Sequence, residues 1–164
     1  MEILFDIRGN LTPYRRIEIT LDEFQKYFVD SFDLDSTRTK IFENYIFFLE
    51  NFQREITPNF TQWIDGSFIS NKKNPNDIDF ITLIDHETYA QKRELINDKF
   101  RLKGAKEIYQ VDAYTVEVFP EGHKEYLICK SNLVYWDNWF WSTKRDKRKR
   151  KHNKGYIEIK FENK

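Results

Sequence analysis

Trp63-Ile64-Asp65-Gly66-Ser67 is followed, after a polar loop, by Asn76-Asp77-Ile78-Asp79-Phe80-Ile81-Thr82-Leu83-Ile84. The apolar flanks predict two strands, over 61–65 and 77–84, hinged at the Gly66-Ser67 turn. Nine residues, Phe68 to Asn76, separate that turn from the first aspartate. Alternate residues of a strand share a face, so Asp77 and Asp79 are expected to point the same way. Two carboxylates on one face repel unless a hard cation lies between them. Asp79 also sits inside an apolar run, where an unpartnered polar group costs roughly 2–7 kcal/mol. A Gly-Ser turn offers backbone N–H groups and a hydroxyl, which suit phosphate oxygens. Together these pieces form a minimal kit for Mg²⁺- or Mn²⁺-dependent chemistry on a nucleoside triphosphate.

Working outward, Thr20-Leu21-Asp22-Glu23 reads as a capping box that opens a short helix toward Phe32. Thr37 to Glu55 has helical periodicity, with Ile41, Tyr45, Phe48, Leu49 and Phe52 on one stripe. His86 to Arg101 predicts a polar helix closed by Gly104, and Lys106 to Phe119 a third strand region. Tyr126 to Trp141 predicts a helix, and Gly155 to Phe161 a last strand at a sheet edge. Alternating strands and helices point to an α/β (α+β) fold with a small mixed sheet flanked by helices. One domain is expected over residues 1–164. Its core would span about 37–120, after a helical lead-in (1–36) and before an aromatic, basic segment and last strand (121–164).

The chain carries 27 basic and 27 acidic side chains, so as a whole it is not a generic polyanion binder. The charge is unevenly placed. Lys144 to Lys154 holds eight Lys or Arg and one Asp, leaving 19 basic against 26 acidic residues elsewhere, a net −7. A single Cys129 excludes an internal disulfide framework, and the three scattered histidines have no zinc-ligand spacing. The amino-terminal sequence lacks the pattern of a secretory signal, and no apolar run reaches membrane-spanning length. A cytoplasmic protein without a membrane anchor is expected.

Gly66-Ser67, a nine-residue spacer and Asp77-Ile78-Asp79-Phe80 resemble the signature of the DNA polymerase β nucleotidyltransferase superfamily over roughly residues 60 to 120. With Trp63-Ile64-Asp65 and the late Lys154-Gly155, most of the chain resembles a group of small bacterial nucleotidyltransferase-like proteins. Asp65 departs from the superfamily pattern, which has an apolar residue before the glycine. The resemblance implies a nucleotidyltransferase fold and a third carboxylate on a later strand. Asp112 is the best match and Glu117 the runner-up; five residues apart, the two are out of phase on a regular strand. It further implies that Asp77, Asp79 and Asp112 hold the metal, and that Asp112 orients or deprotonates an acceptor hydroxyl. Gly66 and Ser67 would hold phosphates while NMP passes from the NTP to RNA or to a protein hydroxyl.

Lys72 and Lys73 in the spacer are candidate triphosphate contacts, or simply solubilise the loop. Arg38 is a further candidate phosphate contact, or an exposed residue at a helix start. Lys144, Arg145, Lys147, Arg148, Lys149 and Arg150 are candidate acceptor contacts, with a solvated loop as the alternative. The preceding Tyr135-Trp136-Asp137-Asn138-Trp139-Phe140-Trp141 offers rings for stacking on single-stranded nucleic acid, although such a run more often fills a core. No appended acceptor-recognition segment is visible, so a partner protein chain could supply acceptor choice. Two other readings stand beside the enzyme. One is a catalytically silent nucleotidyltransferase-fold regulator, for example half of a toxin–antitoxin pair. The other is an RNA-binding module, which leaves the aspartates unexplained.

Overall fold

The computed structural model describes residues 3–163. Its first elements are a short hairpin, β1 (Leu4–Phe5) and β2 (Leu11–Thr12), and a strand, β3 (Arg16–Glu18). The capping box forms as expected: Thr20 and Glu23 cap each other at the start of α1 (Leu21–Gln25). The helix then widens into a π-turn over Lys26–Asp30. The long helix, α2 (Arg38–Glu55), and the strand β4 (Phe60–Asp65) lie where the sequence puts them. Next come β5 (Asp79–Asp85), α3 (His86–Leu95), α4 (Leu102–Tyr109), β6 (Asp112–Val118), α5 (Tyr126–Phe140) and β7 (Tyr156–Phe161).

Strands β3 to β7 form one mixed five-stranded sheet in the order β3-β7-β4-β5-β6. β4 runs antiparallel to both neighbours, while β3–β7 and β5–β6 are parallel pairs. Helix α2 covers one face. Tyr45 donates to Gln62, Phe48 meets Phe80 edge-on at 5.0 Å, and Phe52 meets Phe60 at 4.8 Å. Each such ring taken fully from water contributes about 1.5–3 kcal/mol. Helix α5 covers the other face, where Trp136 packs on Tyr114 at 5.2 Å and Phe140 on Tyr156 at 5.6 Å. Among the described residues no helix is long and apolar enough to cross a membrane.

Five expectations are corrected. β7 lies inside the sheet, between β3 and β4, and is almost wholly buried; the strand at that edge is β3, too short to register as a periodic run. The lead-in is therefore only partly helical, and the sheet draws on residues well outside 37–120. Gly104 lies within α4, its Cα against the Asp98 carbonyl, and does not close the preceding helix. Residues 106–109 finish that helix, burying Ala105 and Tyr109 one turn apart, before the strand starts at Asp112. Last, β5 begins at Asp79, so Asp77 stands just ahead of the strand.

Candidate active site

Strand register decides which acids meet. Asp79 is the Cα partner of Asp65 on one side and of Asp112 on the other. Residues paired in register point to the same face. Three aspartates therefore stand in a row at one end of three adjacent strands, on the face that α5 covers. Glu117 pairs with Ile84 and falls on the opposite face, toward α2. Of the two candidates for the later carboxylate, Asp112 alone shares the face of Asp79.

Gly66 explains how the turn closes on this row. Its φ is +81°, a region that side chains rarely adopt, and a Cβ there would stand 2.0 Å from Asp79 Oδ2. The glycine thus lets the backbone press against the Asp79 carboxyl group. Ser67 opens a single 3₁₀ turn, Ser67–Ile69, whose end is tied by Ser70 Oγ donating to the Ser67 carbonyl at 2.7 Å.

The acids differ in their partners. Asp65 is buried and paired with Lys154, whose own side chain is almost covered. Burial pushes the Asp65 carboxyl up from its ordinary range, and Lys154 opposes that shift. Asp77 accepts from Lys106 Nζ at 3.0 Å, which raises the Lys106 ammonium. Among the described residues no cation pairs with Asp79. Burial, the hydrogen bond with Asp112 and the charges of Asp77, Asp112 and Asp65 push it up to about 8. A carboxyl group raised that far keeps its proton toward neutral pH, so Asp79 is the acid of this row that burial and its neighbours hold neutral.

Gly155 sets Lys154 in place. Its N–H donates to the Leu11 carbonyl at 2.7 Å, and a Cβ would stand 2.5 Å from the Pro13 carbonyl oxygen. Only a residue without a side chain allows the two segments to come that close, and the preceding lysine then lies over Asp65.

These groups line a cleft of about 980 Å³, within the range that holds a nucleotide-sized ligand. Its lining joins Asp65, Gly66, Ser67, Asp77, Asp79 and Asp112 to Tyr135, Trp136 and Trp139 of α5 and to Lys144, Arg145 and Lys151 of the basic run. Arg8, at the tip of the β1–β2 hairpin, also faces it. The hairpin is docked on the spacer loop through Asn71 N–H donating to the Gly9 carbonyl at 3.1 Å. Nothing in the sequence pattern marked Arg8 or Lys106, because Arg8 reaches the cleft and Lys106 reaches Asp77 only through long-range packing.

Several candidates lie elsewhere. Lys73 pairs with Asp33 and Asp35 at 3.0 Å each, and neither Lys72 nor Lys73 lines the cleft. Arg38 is fully buried and donates to the carbonyls of Phe28, Phe68, Ser70 and Lys72. It pins the spacer loop from behind and does not line the cleft. Burial lowers its guanidinium to about 10. Lys147, Arg148, Lys149 and Arg150 lie outside the cleft lining.

The core reading of the aromatic run holds for Phe140 and fails for Tyr135, Trp139 and Trp141, which are exposed.

The acidic oxygens are the donors a hard divalent cation takes. Among the described residues, however, no three such side chains are gathered into a ready metal cage. The donor chemistry of Asp77, Asp79 and Asp112 fits Mg²⁺ once Lys106 releases Asp77.

A mixed α/β chain with a row of acids at a sheet end is thereby defined. The chain belongs to the family described as DUF6932, a family of unknown function, whose model matches residues 3–160. No curated protein and no solved structure matches it.

Proposed function

We propose that this chain has a nucleotidyltransferase fold and moves a nucleoside monophosphate from an NTP to an acceptor hydroxyl. The observation that carries this reading is the Gly66-Ser67 turn seated against Asp79, with Asp112 in register beside it, at the wall of a nucleotide-sized cleft. The acceptor oxygen bonds to the α-phosphorus as the bond to the β-phosphate oxygen breaks. Pyrophosphate leaves with that electron pair, and the hydroxyl proton passes to Asp112. Mg²⁺ held by Asp77, Asp79 and Asp112 would supply charge neutralisation for the triphosphate. Ser67 and the backbone of the turn hold phosphate oxygens, and Asp79 gives up its proton before it takes a cation.

The test is incorporation of α-labelled NTPs with Mg²⁺ or Mn²⁺, with pyrophosphate measured alongside. Asp79→Asn and Asp112→Asn should each abolish it. Transfer that persists in either variant would overturn the assignment.

One observation favours a second reading. Lys106 and Lys154 already neutralise Asp77 and Asp65. A silent regulatory protein of the same fold needs nothing further, and would bind nucleotide without turnover whatever acceptor is offered.

A further inference from the structure

The aromatic half of the cleft has no part in the transfer step. Tyr135 and Trp139 lie one helical turn apart on α5 and are 59% and 52% exposed. Their rings are nearly parallel, at 18°, with centroids 6.4 Å apart. Trp136 is held behind them against Tyr114 and Phe140.

The basic run opposite is not a loose loop. Ser142 and Asn153 form an antiparallel bridge, and Thr143 N–H donates to the His152 carbonyl at 2.8 Å. At the tip, Asp146 accepts from the backbone N–H of Arg148 and Arg150 and pairs with His152. The N–H of Arg150, the His152 ring and the N–H of Arg148 hold the Asp146 carboxyl down to about 2. Trp141 anchors the base of this hairpin by donating to the Tyr14 carbonyl at 2.7 Å. The result is an ordered arm that sets Lys144, Arg145 and Lys151 against the cleft.

We propose that this half of the cleft binds a single strand of nucleic acid as the acceptor. Bases stack on Tyr135 and Trp139, while Lys144, Arg145 and Lys151 meet the phosphates. The word acceptor rests on the transfer reading of the aspartates; the binding itself does not. Flat exposed rings beside ordered cations suit a ligand that repeats rings and negative charge, and the bases of a duplex are already stacked on one another. The acidic remainder of the chain repels such a ligand elsewhere and confines it to this arm.

Fluorescence anisotropy with the full chain and a labelled single strand of about 12 nucleotides tests this. RNA and DNA of the same sequence run side by side show which sugar is preferred. The wild type should bind the strand more tightly than the matching duplex. Tyr135→Ala and Trp139→Ala should each weaken binding about tenfold. The salt slope should be about −2, as three contacts give on a single strand, and the Lys144→Gln, Arg145→Gln, Lys151→Gln triple variant should flatten it.

Equal binding of duplex and strand overturns the proposal. So do ring variants that bind like the wild type, or no binding by about 10⁻⁴ M, the weak end of non-specific contact. Asp79-dependent labelling of a protein, with no strand bound, leaves the transfer reading standing and removes this one. A strand bound as described, with no nucleotide ever transferred, removes the transfer reading and leaves this surface.

Discussion

Asp79 and Asp112 stand side by side as Cα partners at the start of two parallel strands, and among the described residues no ion pair reaches Asp79. Two carboxyl groups in that position are costly in the folded apo protein unless one is protonated. At the wall of the cleft, this arrangement is the one the proposed cation site would use.

The apo protein should therefore lose stability with rising pH. Asp79 is raised from the ordinary aspartate range to about 8 in the folded chain. Between about pH 4 and that value the native state holds a proton that the unfolded chain has released, so stability falls across this window. Asp79→Asn should be more stable than the wild type by about 1–3 kcal/mol at the alkaline end, with the gain vanishing toward about pH 4. Urea unfolding across that range measures it, and a constant difference would mean the proton is not on Asp79.

Gly66→Ala places a Cβ into the Asp79 carboxyl group and forces an alanine to φ +81°. A loss of about 1–3 kcal/mol is expected, since both the clash and the backbone strain must be relieved by moving the turn. Nucleotide binding should fall with it. Thermal unfolding and NTP titration on one preparation check both, and unchanged stability would show that the turn yields freely.

Arg38 should prove structural. Arg38→Met leaves the carbonyls of Phe28, Phe68, Ser70 and Lys72 without their donor and should cost about 3–5 kcal/mol. Arg38→Lys should recover little, because an ammonium lacks the planar fork that reaches all four. A variant of full stability that binds NTP poorly would instead restore the phosphate contact.

Two paired lysines should behave differently. Lys73 is half-exposed and paired with exposed Asp33 and Asp35, so Lys73→Gln should change stability by no more than about 1 kcal/mol and leave NTP binding alone. Lys154→Gln leaves Asp65 buried without a cation and should cost about 2–4 kcal/mol, part of which Asp65→Asn restores in the same chain. Denaturation midpoints of the singles and the double close this cycle, and additive losses would mean that the pair is not coupled.

Local pattern alone determined much of this protein. The capping box at Thr20, the stripe from Ile41 to Phe52, the strand ending at Asp65 and the helix from Tyr126 are properties of short segments, set by spacing and caps. Gly66, Asp77 and Asp79 likewise stood out as candidates, because acids in or beside an apolar strand and a glycine at a turn are local anomalies; Asp112 was singled out through the resemblance.

Tertiary structure decided the rest. Whether Asp112 or Glu117 joins Asp79 depends on the β5–β6 register, which pairs residues more than thirty positions apart. The pairing of Lys154 with Asp65 needs Gly155 pressed against the amino-terminal segment. Arg38 became a buried clamp because the spacer loop folds back over α2, and β7 became central because the short β3 pairs outside it. Each of these outcomes follows from which distant segments pack together, and a period of two or 3.6 residues carries no information about that.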